Sequence, residues 1–179
     1  MWKNSADKFG LVSKLLHWLT AISVFSMFAL GYWMVDLTYY SQWYQTAPHW
    51  HESIGVVLLI ATIFRVVWRF YNAPPQPVVS HSKSVKLASK ITHIVLYILL
   101  FVVMVSGYLI STADGRAIDV FNWFSVFGLG ELIENQEDIA GLIHEYLAYT
   151  LVTFSLLHGA AAIKHHFIDK DSTLIRMIK

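Results

Sequence analysis

The chain contains no cysteine. That absence excludes disulfides, thiolate-held iron–sulfur clusters and the C-x-x-C-H attachment of c-type haem. Charge is scarce as well. Asp, Glu, Lys and Arg make up 14% of 179 residues, where an ordinary soluble domain carries about a quarter. With 56% of residues hydrophobic, too little polar surface remains to coat a globule of this size in water. The formal net charge of +1 provides no excess for a polyanion, so no nucleic-acid partner is expected. Three of the four prolines (Pro74, Pro75 and Pro77) fall in one short stretch, which leaves the apolar runs uninterrupted.

Those runs are four: about residues 15–35, 53–70, 91–110 and 140–163. With their flanks they are long enough to cross about 30 Å of hydrocarbon. The expected fold is therefore all-α, an integral membrane four-helix bundle forming a single domain over residues 1–179. The first run is too long for a signal-peptide core and no A-x-A-like site follows it, so it is expected to stay in the protein. Asn72 to Lys90 reads as a polar connector. Ser111 to Ile139 reads as a longer loop, with a short interfacial helix expected around Trp123 in the Val120–Val126 stretch.

Lys and Arg set the orientation. Lys3, Lys8, Lys14, Arg65, Arg69, Lys83, Lys86, Lys90, Lys164, Lys170, Arg176 and Lys179 fall on one side, leaving only Arg116 on the other. Both termini and the middle connector are thus expected in the cytoplasm of a cell whose inner membrane holds the chain. Trp33, Tyr39, Tyr40, Trp43, Tyr44 and Trp50 crowd the outer end of the first hairpin as an aromatic belt.

Ionisable residues within spans are costly and each is a functional candidate. His17 lies near the inner start of the first span, His51 at the outer start of the second, and His144 and His158 near the two ends of the fourth. The last two are 14 residues apart, close to four turns, so they share a helix face about 21 Å apart along the axis. By depth, His158 matches His17 and His144 matches His51. Each pair is placed to supply two axial imidazoles to one iron, a site built between facing helices of a bundle. Such ligation leaves iron no open position and favours electron transfer over oxygen activation. Zinc binding and a proton relay are the competing uses of the same spacing. Gly31, Gly55, Gly107 and the Gly159–Ala162 run would admit a flat macrocycle, and ordinary close packing of membrane helices explains them equally well.

The motifs S-x-x-x-H-W (Ser13 to Trp18), H-E-S-I-G (from His51), I-H-E (Ile143 to Glu145) and L-H-G-A-A-A (Leu157 to Ala162) resemble the bacterial cytochrome b561 family. The tail K-H-H-F-I-D-K-D-S-T-L-I-R-M, Lys164 to Met177, is the most specific of these, and the resemblance spans the whole chain. It implies two b haems, with His17 and His158 on the cytoplasmic one and His51 and His144 on the periplasmic one, and a link to ubiquinone. On the inner side His93, Arg65, Lys164, His165 and His166 become candidate propionate or quinone contacts. Arg116 is the one basic residue available to a propionate outside. Interfacial lipid contact, the positive-inside rule and a solvated loop account for these residues otherwise. His49 and His81 read as loop residues without a role. The S-T-A-D-G segment (Ser111 to Gly115) and the acidic outer face resemble a subgroup often encoded near a periplasmic isoprenoid-binding protein, so a periplasmic redox or isoprenoid-binding protein is an expected partner.

One type of family member oxidises superoxide and passes the electrons to ubiquinone. Here the outer face carries Asp36, Asp114, Asp119, Glu131, Glu134, Glu137 and Asp138 against Arg116. Such a field repels an anion and would steer a basic partner instead, so superoxide oxidation ranks below general transmembrane electron transfer. Two further readings are a haem-b anchor subunit of a dehydrogenase and a histidine-based metal or proton transporter. The first would co-purify with a catalytic subunit and the second would be colourless. A purely structural scaffold would leave the depth-matched histidines unexplained. The small-residue faces also permit a homodimer.

Overall fold

The computed structural model describes residues 1–78 and 81–179. Four long helices dominate it: α1 (Leu11–Met34), α2 (Thr46–Tyr71), α3 (Lys83–Ser111) and α4 (Gln136–Phe167). Each contains one apolar run and is long and apolar enough to cross a membrane. They alternate in direction and pack as a four-helix bundle, with α3 most extensively on α4 and α1 on α2. Large apolar side chains stay exposed on every helix, among them Ile22, Ile60, Ile98 and Leu156. In water such a surface would aggregate; in a bilayer it is the lipid-facing side.

The helices outrun the apolar segments. At 1.5 Å per residue, α4 with its 32 residues is about 48 Å long and extends into the headgroups at both ends. Glu137 and Asp138 in its first turn and Lys164, His165 and His166 in its last complement the helix dipole. The start of α3 corrects one expectation. The Ser82 hydroxyl accepts from the Val85 amide and caps the helix before Lys83, so the connector is shorter than Asn72 to Lys90. His93 is accordingly the eleventh residue of α3 and lies deeper than the first turn. The two residues 79–80 of the connector lie outside the described residues. His49, read as a loop residue, belongs to the first turns of α2. Pro48 fits there because the N–H it lacks has no helical partner in a first turn.

The stretch expected as an interfacial helix is instead a β-hairpin, β1 (Ile118–Val120) antiparallel to β2 (Phe124–Val126). Its I-D-V and F-S-V segments alternate with a period of two, which suits a strand. Phe121 and Asn122 take left-handed backbone at the turn, with φ of 47° and 58°. Ile118 and Val120 point inward and are buried, closing the outer end of the bundle. The buried Ser53 hydroxyl of α2 bonds both the Phe121 amide (3.1 Å) and the Asp119 carbonyl (3.3 Å), fixing the hairpin two residues from His51.

The basic end is laced by its termini. Asn4 donates to the carbonyls of Asn72 and Ala73. Arg176, in the short terminal helix α5 (Ile175–Ile178), donates to Gln76 O, and Trp18 Nε1 to Met177 O. Between the two ends lies the core: Val24, Leu58, Leu100, Met104 and Leu151. Leu151 is seven residues from both His144 and His158, Val24 seven from His17 and Leu58 seven from His51. The apolar plug therefore sits about 10 Å, two helical turns, from each histidine level.

Candidate functional site

The four depth-matched histidines come together as two pairs. The ring centres of His51 on α2 and His144 on α4 are 6.1 Å apart, with planes at 71°. Those of His17 on α1 and His158 on α4 are 6.3 Å apart, at 79°. Two imidazoles bound to opposite sides of one metal at about 2 Å each have ring centres roughly 6 Å apart. The same spacing recurs at both levels, and direct ring packing does not require it.

Surrounding groups position these rings. His144 Nδ1 donates to Val103 O at 2.9 Å, with the Ser106 hydroxyl 3.2 Å away. A carbonyl only accepts, so Nδ1 carries the proton and Nε2 is left as the nitrogen able to bind a metal. His51 Nδ1 is buried without a hydrogen-bond partner among the described residues. Two glycines make room for the outer pair. A Cβ on Gly31 would lie 3.1 Å from His51 Cε1, and one on Gly107 would lie 3.0 Å from His144 Cε1. The four small positions singled out in the sequence thus divide. Gly31 and Gly107 accommodate imidazoles, while among the described residues a Cβ on Gly55 would touch only Met27 and one on Gly159 would meet nothing within 4 Å.

At the inner level Arg65 donates from Nη2 to His17 Nδ1 at 3.1 Å and lies over the Tyr97 ring at 5.3 Å. His93 adds a third ring, 5.2 Å from that of His158. This contact is shorter than the spacing of two ligands on one iron. His166 Nδ1 is buried and has no partner among the described residues.

The other sequence candidates are engaged elsewhere. Lys164 Nζ binds both carboxylate oxygens of Asp169, at 2.9 and 2.7 Å. His165 faces Asp169 and Asp171. Arg116 lies in a solvated turn, paired with Asp114 at 3.4 Å. His81, which the sequence marks in no way, reaches 90 residues along the chain to hydrogen-bond Asp171 at 2.6 Å. No local spacing signals that contact. Burial pushes the Asp171 carboxyl up, but bonds from Thr173 and His81 outweigh it and hold the group at about 2, so it is ionised at neutral pH.

Comparison with known proteins finds relatives along nearly the whole chain. The family model described as prokaryotic cytochrome b561 matches residues 8–179. Cytochrome b561 homolog 2 of Escherichia coli (strain K12) is 49% identical over 175 residues, covering 98% of this chain and 93% of the relative. Cytochrome b561 homolog 1 of the same organism is 25% identical, over 96% and 97%. A protein named probable superoxide oxidase CybB, of Yersinia pestis, is 27% identical over 72% of each chain.

Proposed function

This chain belongs to the prokaryotic cytochrome b561 family, and on that footing we propose that it carries electrons across the bacterial inner membrane between two bis-histidine b haems and the quinone pool. The family implies haem b binding and transmembrane electron transfer. Two haems, their ligands and the quinone link are the proposal. His51 and His144 hold the outer group, and His17 and His158 the inner one. The observation that carries the reading is the repeated gap of 6.1 and 6.3 Å between near-perpendicular imidazoles.

Haem b, when bound, supplies a one-electron iron couple without an open coordination position. The chain's residues do the rest. Val103 O fixes the His144 tautomer. The hairpin and its buried Ile118 and Val120 keep water from the outer pair. The plug around Leu151 keeps the space between the levels dry and apolar. Arg65 occupies His17 Nδ1, and ligation through His17 Nε2 requires the guanidinium to release that nitrogen. A propionate is the group that would draw it off, so Arg65 is the leading propionate contact inside. His93 and His166 remain beside the inner level as quinone or propionate contacts. Lys164 and His165 rank lower because Asp169 and Asp171 already engage them. Arg116 ranks lower because it is exposed to solvent.

A relative named probable superoxide oxidase keeps superoxide oxidation as the second reading. The acidic outer loops argue against it, and a basic periplasmic redox or isoprenoid-binding protein suits them better. The test is a redox titration of the purified protein with His17→Ala and His51→Ala. Each variant is expected to remove a different one of two haem components. Loss of the same component from both variants contradicts the pairing.

A further inference from the structure

We propose that His81, His165 and Asp171 form a binding site for one zinc-class divalent cation at the basic end of the bundle. The proposal does not depend on the haem assignment. The three ligand atoms lie within 4.8 Å of one another. Asp171 Oδ2 is 2.6 Å from His81 Nε2 and 3.5 Å from His165 Nδ1, and the two imidazoles stack at 4.6 Å with planes tilted by 33°. All three side chains are largely enclosed, with 14%, 17% and 6% exposure for His81, His165 and Asp171. Two imidazoles and a carboxylate, with no thiolate in the chain, make a borderline nitrogen–oxygen donor set that suits Zn²⁺.

The surroundings also fit a ligand cluster. The second carboxylate oxygen of Asp171 accepts from the Thr173 amide at 2.7 Å, which holds Oδ2 towards the histidines, as ordering contacts around metal ligands do. His165 Nδ1 is buried without hydrogen-bond geometry to any described group, although Asp169 Oδ2 lies 2.7 Å away. Asp169 is thus beside the site as a fourth donor, shared with Lys164. Two neutral imidazoles and two carboxylates balance a 2+ ion. Binding displaces the proton held between His81 and Asp171 and draws the ligands to about 2.0–2.2 Å from the ion. The ion would clip the segment before α3 to the end of α4 and its tail, with His81 and Asp171 90 residues apart in the chain.

The experiment is calorimetric titration of Zn²⁺ into chelator-stripped, haem-loaded protein in detergent. One ion per chain is expected. His81→Ala and Asp171→Asn should each weaken binding roughly tenfold to a hundredfold or more, and His49→Ala, at the other end of the bundle, should not. No binding to the wild type, or equal affinity in all four proteins, overturns the proposal. If the two variants lose their haem bands and so their fold, zinc-edge X-ray absorption of the wild type decides. Two imidazoles with oxygen ligands support the site, and a shell of water or a single imidazole overturns it.

Discussion

His144 Nδ1 donates to the carbonyl oxygen of Val103 across 2.9 Å, and one residue beyond Ser106 the chain places Gly107 against the same ring. α3 therefore both orients the His144 imidazole and makes space for it. Gly107→Ala puts a methyl carbon 3.0 Å from His144 Cε1 and must displace the ring by a few tenths of an ångström. Partial loss of the outer haem component, or a shift in its potential, is expected in a redox titration. Gly141→Ala is the control, since its Cβ meets nothing within 4 Å among the described residues and alanine favours the helix.

His93 tests the ligand assignment from the opposite direction. Its ring approaches His158 to 5.2 Å, closer than His17 does, yet the reading gives it no iron. His93→Ala is expected to retain both haem components and to alter quinone reduction alone. A haem-to-protein ratio reduced by one haem in this variant would transfer a ligand role to His93.

Arg65 keeps a positive charge beside the inner pair, whether on His17 Nδ1 or turned to a propionate. Positive charge disfavours the ferric state, so Arg65→Gln should lower the midpoint potential of the inner component by roughly tens of millivolts and leave the outer one in place. An unchanged potential would mean that the guanidinium is turned to solvent in the haem-loaded protein.

Much of this was legible in the sequence. The four apolar runs set the helices because a bilayer demands continuous apolar length. The 14-residue separation of His144 and His158 set the two levels because helical periodicity is rigid. The hairpin was missed because its strands are only three residues each, and an amphipathic helix and a short hairpin look alike over seven residues. The contacts of His81 and Ser53 were missed because their partners lie 90 and 66–68 residues away, and such pairings depend on how the loops fold over the bundle ends. Ser82 carried a capping signal, but the lysines that follow it disguised the first turns of α3 as connector.

Ser53→Ala measures what that long-range contact contributes. It leaves the Phe121 amide without its partner beside the outer pair, a cost of about 1–3 kcal/mol. The expected result is a lowered thermal midpoint with earlier loss of the outer haem. An unchanged melting profile would show that the hairpin is not what closes that end.

The acidic outer face separates the two oxidoreductase readings. If superoxide is consumed at all, the rate should not fall as ionic strength rises, because screening relieves repulsion. A rate that falls with added salt is the signature of attractive steering and would move superoxide oxidation to first place.

The central claim, two metal-spanning histidine pairs stacked across the membrane, is tested most directly by a reduced-minus-oxidised visible spectrum of the detergent-purified protein with haem quantified against chain. Low-spin b-type bands at two haems per chain are the predicted result. A protein without haem, from cells supplied with it, would contradict the account and leave the histidine pairs to metal or proton transport.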